Sequence, residues 1–224
     1  VIVVPGGVYA AGPHRFVCGD IEDGALERLY SLLPERPAMV YSDPPWNAGN
    51  ARYWRTQAGL GRAVDWETLW CLIADFTQRT GAPDVWFEMS LSQTETWLQI
   101  VTPYLPPLVG LWQVYYGSPP TVGPYIHCCG RPNNIARFAR HTCVPLPDMT
   151  GLKGEAVTNL AFRSSLTDGA CGIVVDPCIG KGMTARMACS HGLTCYGAEL
   201  NPKRLSVTLA WFEKRGYALD SIMA

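Results

Sequence analysis

The chain reads as a single α/β domain over residues 1–224, built on a mostly parallel sheet flanked by helices. Three observations predict it. Apolar runs of the length of buried parallel strands alternate with segments of helical period. The 224 residues, 48% hydrophobic and 17% charged, suit one large domain with an ample core and exclude disordered, fibrous and collagenous classes. Two of the strands run into proline-bearing or glycine-bearing turns at their carboxyl ends, where open α/β sheets place ligands.

Taken in chain order, Arg15–Cys18 is the first expected strand, with Gly19-Asp20 leading into a helix, and Ala38–Tyr41 is the second. Asp65 caps a helix whose Leu69, Leu72, Ile73 and Phe76 recur at i, i+3, i+4 and i+7, and Gly81 with Pro83 stops it. Asp84–Glu88 is a strand. Ser90 and Gln93 have capping-box spacing and open a helix through Trp97, Ile100 and Val101. Leu108–Tyr116 and Gly172–Asp176 are further strands, a helix covers Ala185 to Cys189, and Cys195–Glu199 is a strand. Asn201-Pro202 opens the next helix, with Leu205, Leu209 and Phe212 on one face. Trp66, Trp70, Trp86, Trp97 and Trp112 fall at core positions.

Two segments interrupt this rhythm. Residues 47–64 carry Arg52, Arg55 and Arg62 with no acidic residue, and residues 117–150, rich in Pro and Gly, carry Arg131, Arg137 and Arg140 against Asp148 alone. They hold +3 and +2 on a chain whose net charge is -1, which predicts one positive face on an acidic body, with solvated loop arginines as the plainer alternative. The overall balance excludes a strongly basic nucleic-acid packager.

The nine cysteines are odd in number and embedded in apolar runs, so reduced thiols and a cytoplasmic location are expected. No run approaches the roughly 18 apolar residues of a membrane span, and no secretory leader is visible. His127-Cys128-Cys129 and His141-x-Cys143 lack a Cys-x-x-Cys knuckle, so no metal is expected.

The most informative tetrapeptide is Asp43-Pro44-Pro45-Trp46, directly after Met39-Val40-Tyr41. Two prolines stop the strand and fix a rigid turn that presents a carboxylate and an indole together. By itself Asp-Pro-Pro also reads as a strand-ending turn with an ordinary cap. The second signal is Asp176-Pro177-Cys178-Ile179-Gly180-Lys181-Gly182-Met183-Thr184, a strand entering a glycine turn and a helix whose N-terminus favours electronegative groups. Glu199 then ends the next strand, where an acidic residue accepts both ribose hydroxyls in nucleotide-binding βαβ units. A nucleoside-type cofactor is the better reading of this pair.

These residues resemble the amino-methyltransferases that use S-adenosylmethionine to methylate adenine N6 or cytosine N4 in DNA. That family carries Asp-Pro-Pro-aromatic on the target side and Asp-Pro-x-x-Gly-x-Gly-x-Thr, then a Glu-ended strand, on the cofactor side. The order here, target motif first, is similar to its circularly permuted β class, and the resemblance spans roughly residues 15–216. Lys181 and Cys178 depart from the usual small residue and Phe, and Lys153-Gly154-Glu155 stands where Lys-Pro is usual.

The resemblance implies a Rossmann-like methyltransferase fold and S-adenosylmethionine as cofactor. It places Asp43, Pro44, Pro45 and Trp46 at the catalytic centre. Asp20, Asp176, Pro177, Cys178, Gly180, Gly182, Thr184 and Glu199 are the expected cofactor residues. It also implies a target-recognition insertion at 117–150, with Arg52, Arg55, Arg131, Arg137 and Arg140 as nucleic-acid contacts. Asp rather than Ser at the head of the tetrapeptide points to adenine in DNA. Cytosine N4, adenine in RNA, and a catalytically silent cofactor- or nucleic-acid-binding subunit are the alternatives, with a homodimer or partner subunit extending the short recognition region. A nicotinamide-dependent oxidoreductase is disfavoured, because Gly-x-Gly-x-x-Gly is missing and nothing in that chemistry uses Asp43–Trp46.

Overall fold

A computed structural model describes residues 2–61, 65–115, 132–140, 148–166 and 172–222. The chain runs β1 (Val8–Ala11), β2 (His14–Cys18), α1 (Ala25–Ser31), β3 (Met39–Ser42), α2 (Ala48–Gln57), α3 (Trp66–Thr80), β4 (Asp84–Ser90) and α4 (Thr94–Val101). It continues β5 (Leu108–Tyr115), β6 (Pro132–Ala139), α5 (Glu155–Ser165), β7 (Ile173–Asp176), α6 (Met183–Ser190), β8 (Thr194–Glu199), α7 (Pro202–Glu213) and β9 (Leu219–Ile222). The strands form one sheet in the order β5-β6-β4-β3-β7-β8-β2-β1-β9. Its middle, β4-β3-β7-β8-β2, is parallel, and antiparallel strands close both sides.

Successive side chains of the central strands go to opposite faces, as the period of two requires. Val40, Val85, Phe87 and Val175 pack with Leu29, Trp70, Ile73 and Trp97 from α1, α3 and α4. Met39, Tyr41, Trp86 and Val174 pack with Phe162, Ala188 and Leu209 from α5, α6 and α7. Both faces are thus covered, which is why these strands read as unbroken apolar runs.

The helix boundaries show their chemistry. The Asp65 carboxylate accepts from the Thr68 backbone N–H at 3.1 Å, and Gly81 ends α3 at φ 67°. The Asn201 side chain accepts from the Lys203 N–H at 2.9 Å with Pro202 opening α7. One expectation is corrected: Ser90 and Gln93 form no capping box. Leu91–Gln93 is a 3-10 turn, the Ser90 hydroxyl meets that of Ser92 at 3.0 Å, and the helix starts at Thr94, whose hydroxyl donates to the Ser90 carbonyl at 2.9 Å.

The segment 117–150 is not an insertion throughout. Its residues 132–139 are β6, a strand inside the sheet between β5 and β4. The run escapes an apolar reading because its polar members are buried against polar partners on β4. Arg137 forks onto Asp84 at 3.0 and 2.6 Å, and the Asn133 amide donates to Glu88 at 2.7 Å. His14 is a core residue: its Nδ1 accepts from the Cys195 N–H at 3.0 Å, and burial lowers its pKa to about 4. Among the described residues, no helix is long and apolar enough to cross a membrane.

Candidate active site

The parallel strands deliver their carboxyl ends to one edge of the sheet: Cys18 from β2, Ser42 from β3, Ser90 from β4, Asp176 from β7 and Glu199 from β8. The chain leaves β3 toward β4 on one side, whereas it leaves β7 toward β8 on the other. Neighbouring strands with oppositely directed connections open a crevice between them, the place where ligands bind in such sheets. The turns after β3 and β7 form that crevice.

A cleft of about 630 Å³, partly open to solvent, lies there. Asp43 and Pro45 line one part, Pro177, Cys178 and Glu199 another, and Asp20 a third, with Trp54, Arg55 and Arg204 closing it. Asp43 and Pro45 of the target-side turn and the Glu199 strand end therefore share one space, with Pro44 and Trp46 outside its lining.

The tetrapeptide is held from both sides. The Trp46 indole N–H donates to Asp43 Oδ1 at 2.6 Å, which fixes carboxylate and aromatic ring against each other. The Trp66 indole donates to the Pro45 carbonyl at 2.9 Å, so a tryptophan read as core packing also anchors this turn. Among the described residues, no donor reaches the Pro44 carbonyl. Burial, then the nearby Glu88 carboxylate, pushes the Asp43 pKa well above the usual carboxylate range, against the Trp46 hydrogen bond.

Asp176 lies behind the cleft rather than in it. Its carboxylate accepts from Ser42 at 2.6 Å, Thr184 at 2.5 Å and the Cys178 N–H at 2.9 Å. It thereby ties the end of β3, the turn after β7 and the start of α6 together, and burial raises its pKa to about 6 despite these three bonds. Gly180 and Gly182 adopt φ of 58° and 83°. A methyl group on Gly182 would sit 2.7 Å from Thr208, so that glycine serves close packing of the turn on α7. Of the expected cofactor residues, Asp20, Pro177, Cys178 and Glu199 line the cleft, while Asp176, Gly180, Gly182 and Thr184 shape the turn beneath them. Lys181 is exposed and outside the lining.

Glu199 accepts from the Asn201 N–H at 2.8 Å, and Arg204 stands 3.7 Å from its other oxygen. Burial raises its pKa, which Arg204 opposes. The Arg204 guanidinium stacks 3.9 Å from the Trp54 ring centroid. Asp20 accepts from the Glu22 N–H at 3.1 Å and pairs with Arg55 at 2.7 Å. Both carboxylates line the cleft, where a carboxylate accepts from a ligand hydroxyl or amine.

Two arginines expected on a nucleic-acid surface are corrected. Arg137 is 5% exposed and bound to Asp84 and to the Ser164 carbonyl, and Arg55 is 6% exposed and paired with Asp20 and Glu22. Buried guanidinium groups need such partners, and with them they present no charge to a phosphate. Arg52 and Arg140 are exposed. Arg131, Arg62 and the His/Cys residues at 127–129, 141 and 143 lie outside the described residues.

Sequence reasoning missed Glu88, Trp54 and Arg204. Glu88 carried a usable signal, because a carboxylate closing an apolar parallel strand is the same pattern that marked Asp176 and Glu199. Trp54 and Arg204 carried none, since each is brought to the cleft by a helix whose period does not report it.

No protein-family model matches the chain, and no curated protein does. Solved structures share its fold. M1.HpyAVI is similar at a TM-score of 0.62 and 14% identity, covering 91% of this chain and 98% of that one. TTHA0409 of Thermus thermophilus, provisionally a DNA modification methylase and solved with S-adenosyl-L-methionine, has a TM-score of 0.62 at 15% identity over 90% and 93%. The cytosine-N4-specific PvuII DNA methyltransferase has a TM-score of 0.62 at 12% identity over 91% and 86%. The chain therefore shares the Rossmann-like α/β fold of these three structures.

Proposed function

We propose that the chain is an S-adenosylmethionine-dependent amino-methyltransferase acting on adenine N6 in DNA. The observation that carries this reading is the placement of Asp43 and Pro45, at the turn after β3, in the same cleft as the Glu199 strand end. The fold is shared with M1.HpyAVI, also solved as a complex with this cofactor, and with TTHA0409. The cleft residues fit the group: Glu199 suits ribose hydroxyls, Asp20 an adenine amine, and the Pro177-Cys178 turn lies between Glu199 and Asp43. When bound, S-adenosylmethionine supplies an electrophilic methyl group on a cationic sulfur.

The protein's part is to make a poor nucleophile attack. An exocyclic amino nitrogen delocalises its lone pair into the ring. Asp43 and the Pro44 carbonyl accept its two N–H groups, which draws the lone pair out of conjugation and stabilises the positive charge that develops on nitrogen. Trp46, held by Asp43, stacks on a base turned out of the duplex, a contact worth about 1–3 kcal/mol. Trp66 and Asp176 keep this turn in register with the cofactor half of the cleft, and that positioning supplies part of the rate. The exposed Arg52, with Arg131 and Arg140, is assigned to phosphate contacts, and residues 117–131 and 141–147 to target recognition.

The test is incubation with S-adenosylmethionine and unmethylated duplex DNA, digestion to nucleosides and mass spectrometry. N6-methyladenine is expected. N4-methylcytosine would keep the chemistry and change the base. Product from RNA alone would move the substrate, and no product from either would leave the silent-subunit reading.

A further inference from the structure

Beneath the target turn lies a second buried carboxylate that the mechanism above does not use. Ser42 and Phe87 are the last register partners of β3 and β4, so Asp43 and Glu88 follow side by side. Tyr41, two residues before Asp43, donates its hydroxyl to Glu88 Oε1 at 2.6 Å, which puts Glu88 on the same face of the sheet. Glu88 is 9% exposed and has a donor on each oxygen, Tyr41 on one and the Asn133 amide at 2.7 Å on the other. Asp43 has the Trp46 indole as its side-chain donor among the described residues.

Two adjacent carboxylates, one of them buried, cannot both ionise freely. The two donors on Glu88 favour its charged form, which leaves the proton on Asp43. Among the described residues, the other groups acting on Asp43 or Cys178 beside it are Asp176 at the end of β7, Cys178 in the turn after it, and Arg204 from α7. Thr158 of α5 faces Tyr41 at 3.1 Å. Asp176 reinforces the effect of Glu88 on Asp43 and Arg204 opposes it.

We propose that Asp43 and Glu88 hold one proton between them in the ligand-free protein, and that entry of a sulfonium cation into the cleft expels it. The inference rests on the cofactor reading given above. It completes the proton balance of the reaction. As the new N–C bond forms, the S–C bond breaks and its electron pair stays on sulfur. The amino nitrogen then loses a proton to the ionised Asp43. The positive charge has left the cleft at that moment, so the carboxylate pair holds a proton again, and the next cofactor molecule releases it to solvent. Glu88 is a positioning residue in this cycle, acting on the amino group only through Asp43.

The experiment is titration calorimetry of the full chain at neutral pH in two buffers of different ionisation enthalpy, with S-adenosylmethionine and with the uncharged S-adenosylhomocysteine. The difference between ligands removes protons exchanged by the groups they share. S-adenosylmethionine is expected to release about 0.5–1 proton more than S-adenosylhomocysteine, given that a nearby charge moves a carboxylate by about 1–3 pKa units. Glu88→Gln should reduce that difference, because it removes the carboxylate that holds the proton on Asp43 beyond the effect of burial, and it should move the acidic limb of kcat/KM to lower pH. Equal proton release with both ligands overturns the inference. So does an undiminished difference in a folded Glu88→Gln protein. Should that variant not fold, the two-ligand comparison on the unaltered chain still decides. Absence of S-adenosylmethionine binding overturns both this inference and the cofactor reading, whereas binding without a proton difference overturns this one alone.

Discussion

Replacing Asp43 with alanine is expected to lower the single-turnover rate of methyl transfer by about 10²–10³-fold, the usual cost of deleting one group aimed at developing charge. Cofactor affinity should change far less, within about tenfold, because Glu199, Asp20 and the Pro177-Cys178 turn remain. Two features sharpen the expectation. Asp43 is the acceptor for the Trp46 indole, so its removal also deletes a hydrogen bond that positions the ring proposed to stack on the base. Asp176, which joins the two turns, does not depend on Asp43 for any of its three bonds. Asp43→Asn keeps an oxygen acceptor and should fall between alanine and the unaltered chain. Rapid-quench methylation and cofactor titration on the same preparations separate the two effects. A comparable loss in both would place Asp43 in cofactor binding instead.

Replacing Arg137 with methionine is expected to cost about 3–5 kcal/mol of folding stability, since it leaves the Asp84 carboxylate buried and unpaired. Asp84 is 6% exposed, and both its oxygens are engaged by the Arg137 guanidinium, which also stands 5.1 Å over the Trp86 ring. That is a large share of the roughly 5–15 kcal/mol that typically holds a domain together. Replacing Asp84 with leucine in the same protein removes the orphaned charge and should restore most of the loss. Urea unfolding of the single and double variants checks this. A phosphate contact at Arg137 would behave otherwise: the single variant would unfold like the unaltered chain and lose affinity for DNA.

That pair shows where legibility in the sequence ends. The parallel core could be read directly, because strands covered on both faces must be apolar throughout. Asp43, Cys178 and Glu199 could be placed in one site because motifs at the carboxyl ends of such strands have a common location. Strand β6 could not be read, since Asn133 and Arg137 are buried only by virtue of Glu88 and Asp84, some 45 and 53 residues away. A buried polar pair looks on each side like a solvated residue. The same reason hid Arg55, whose partner Asp20 was itself expected to face the cofactor. Helix α2 was missed for another cause: its inward residues Ala51, Trp54 and Arg55 line a cleft rather than an apolar core, so no amphipathic stripe marks it.

Asp176 teaches the converse. Its motif placed it at the right turn, yet the hydroxyls of Ser42 and Thr184 occupy it, and it works by joining two loops. Spacing identifies which turn matters, and hydrogen-bond accounting decides which of its atoms meet a ligand.

The most direct test of the whole account is a crystal structure of the chain with S-adenosylmethionine bound. The ribose hydroxyls should lie on Glu199 and the transferable methyl should point at Asp43 and the Pro44 carbonyl. Cofactor bound with its methyl turned away from that turn, or bound elsewhere than this cleft, would contradict it.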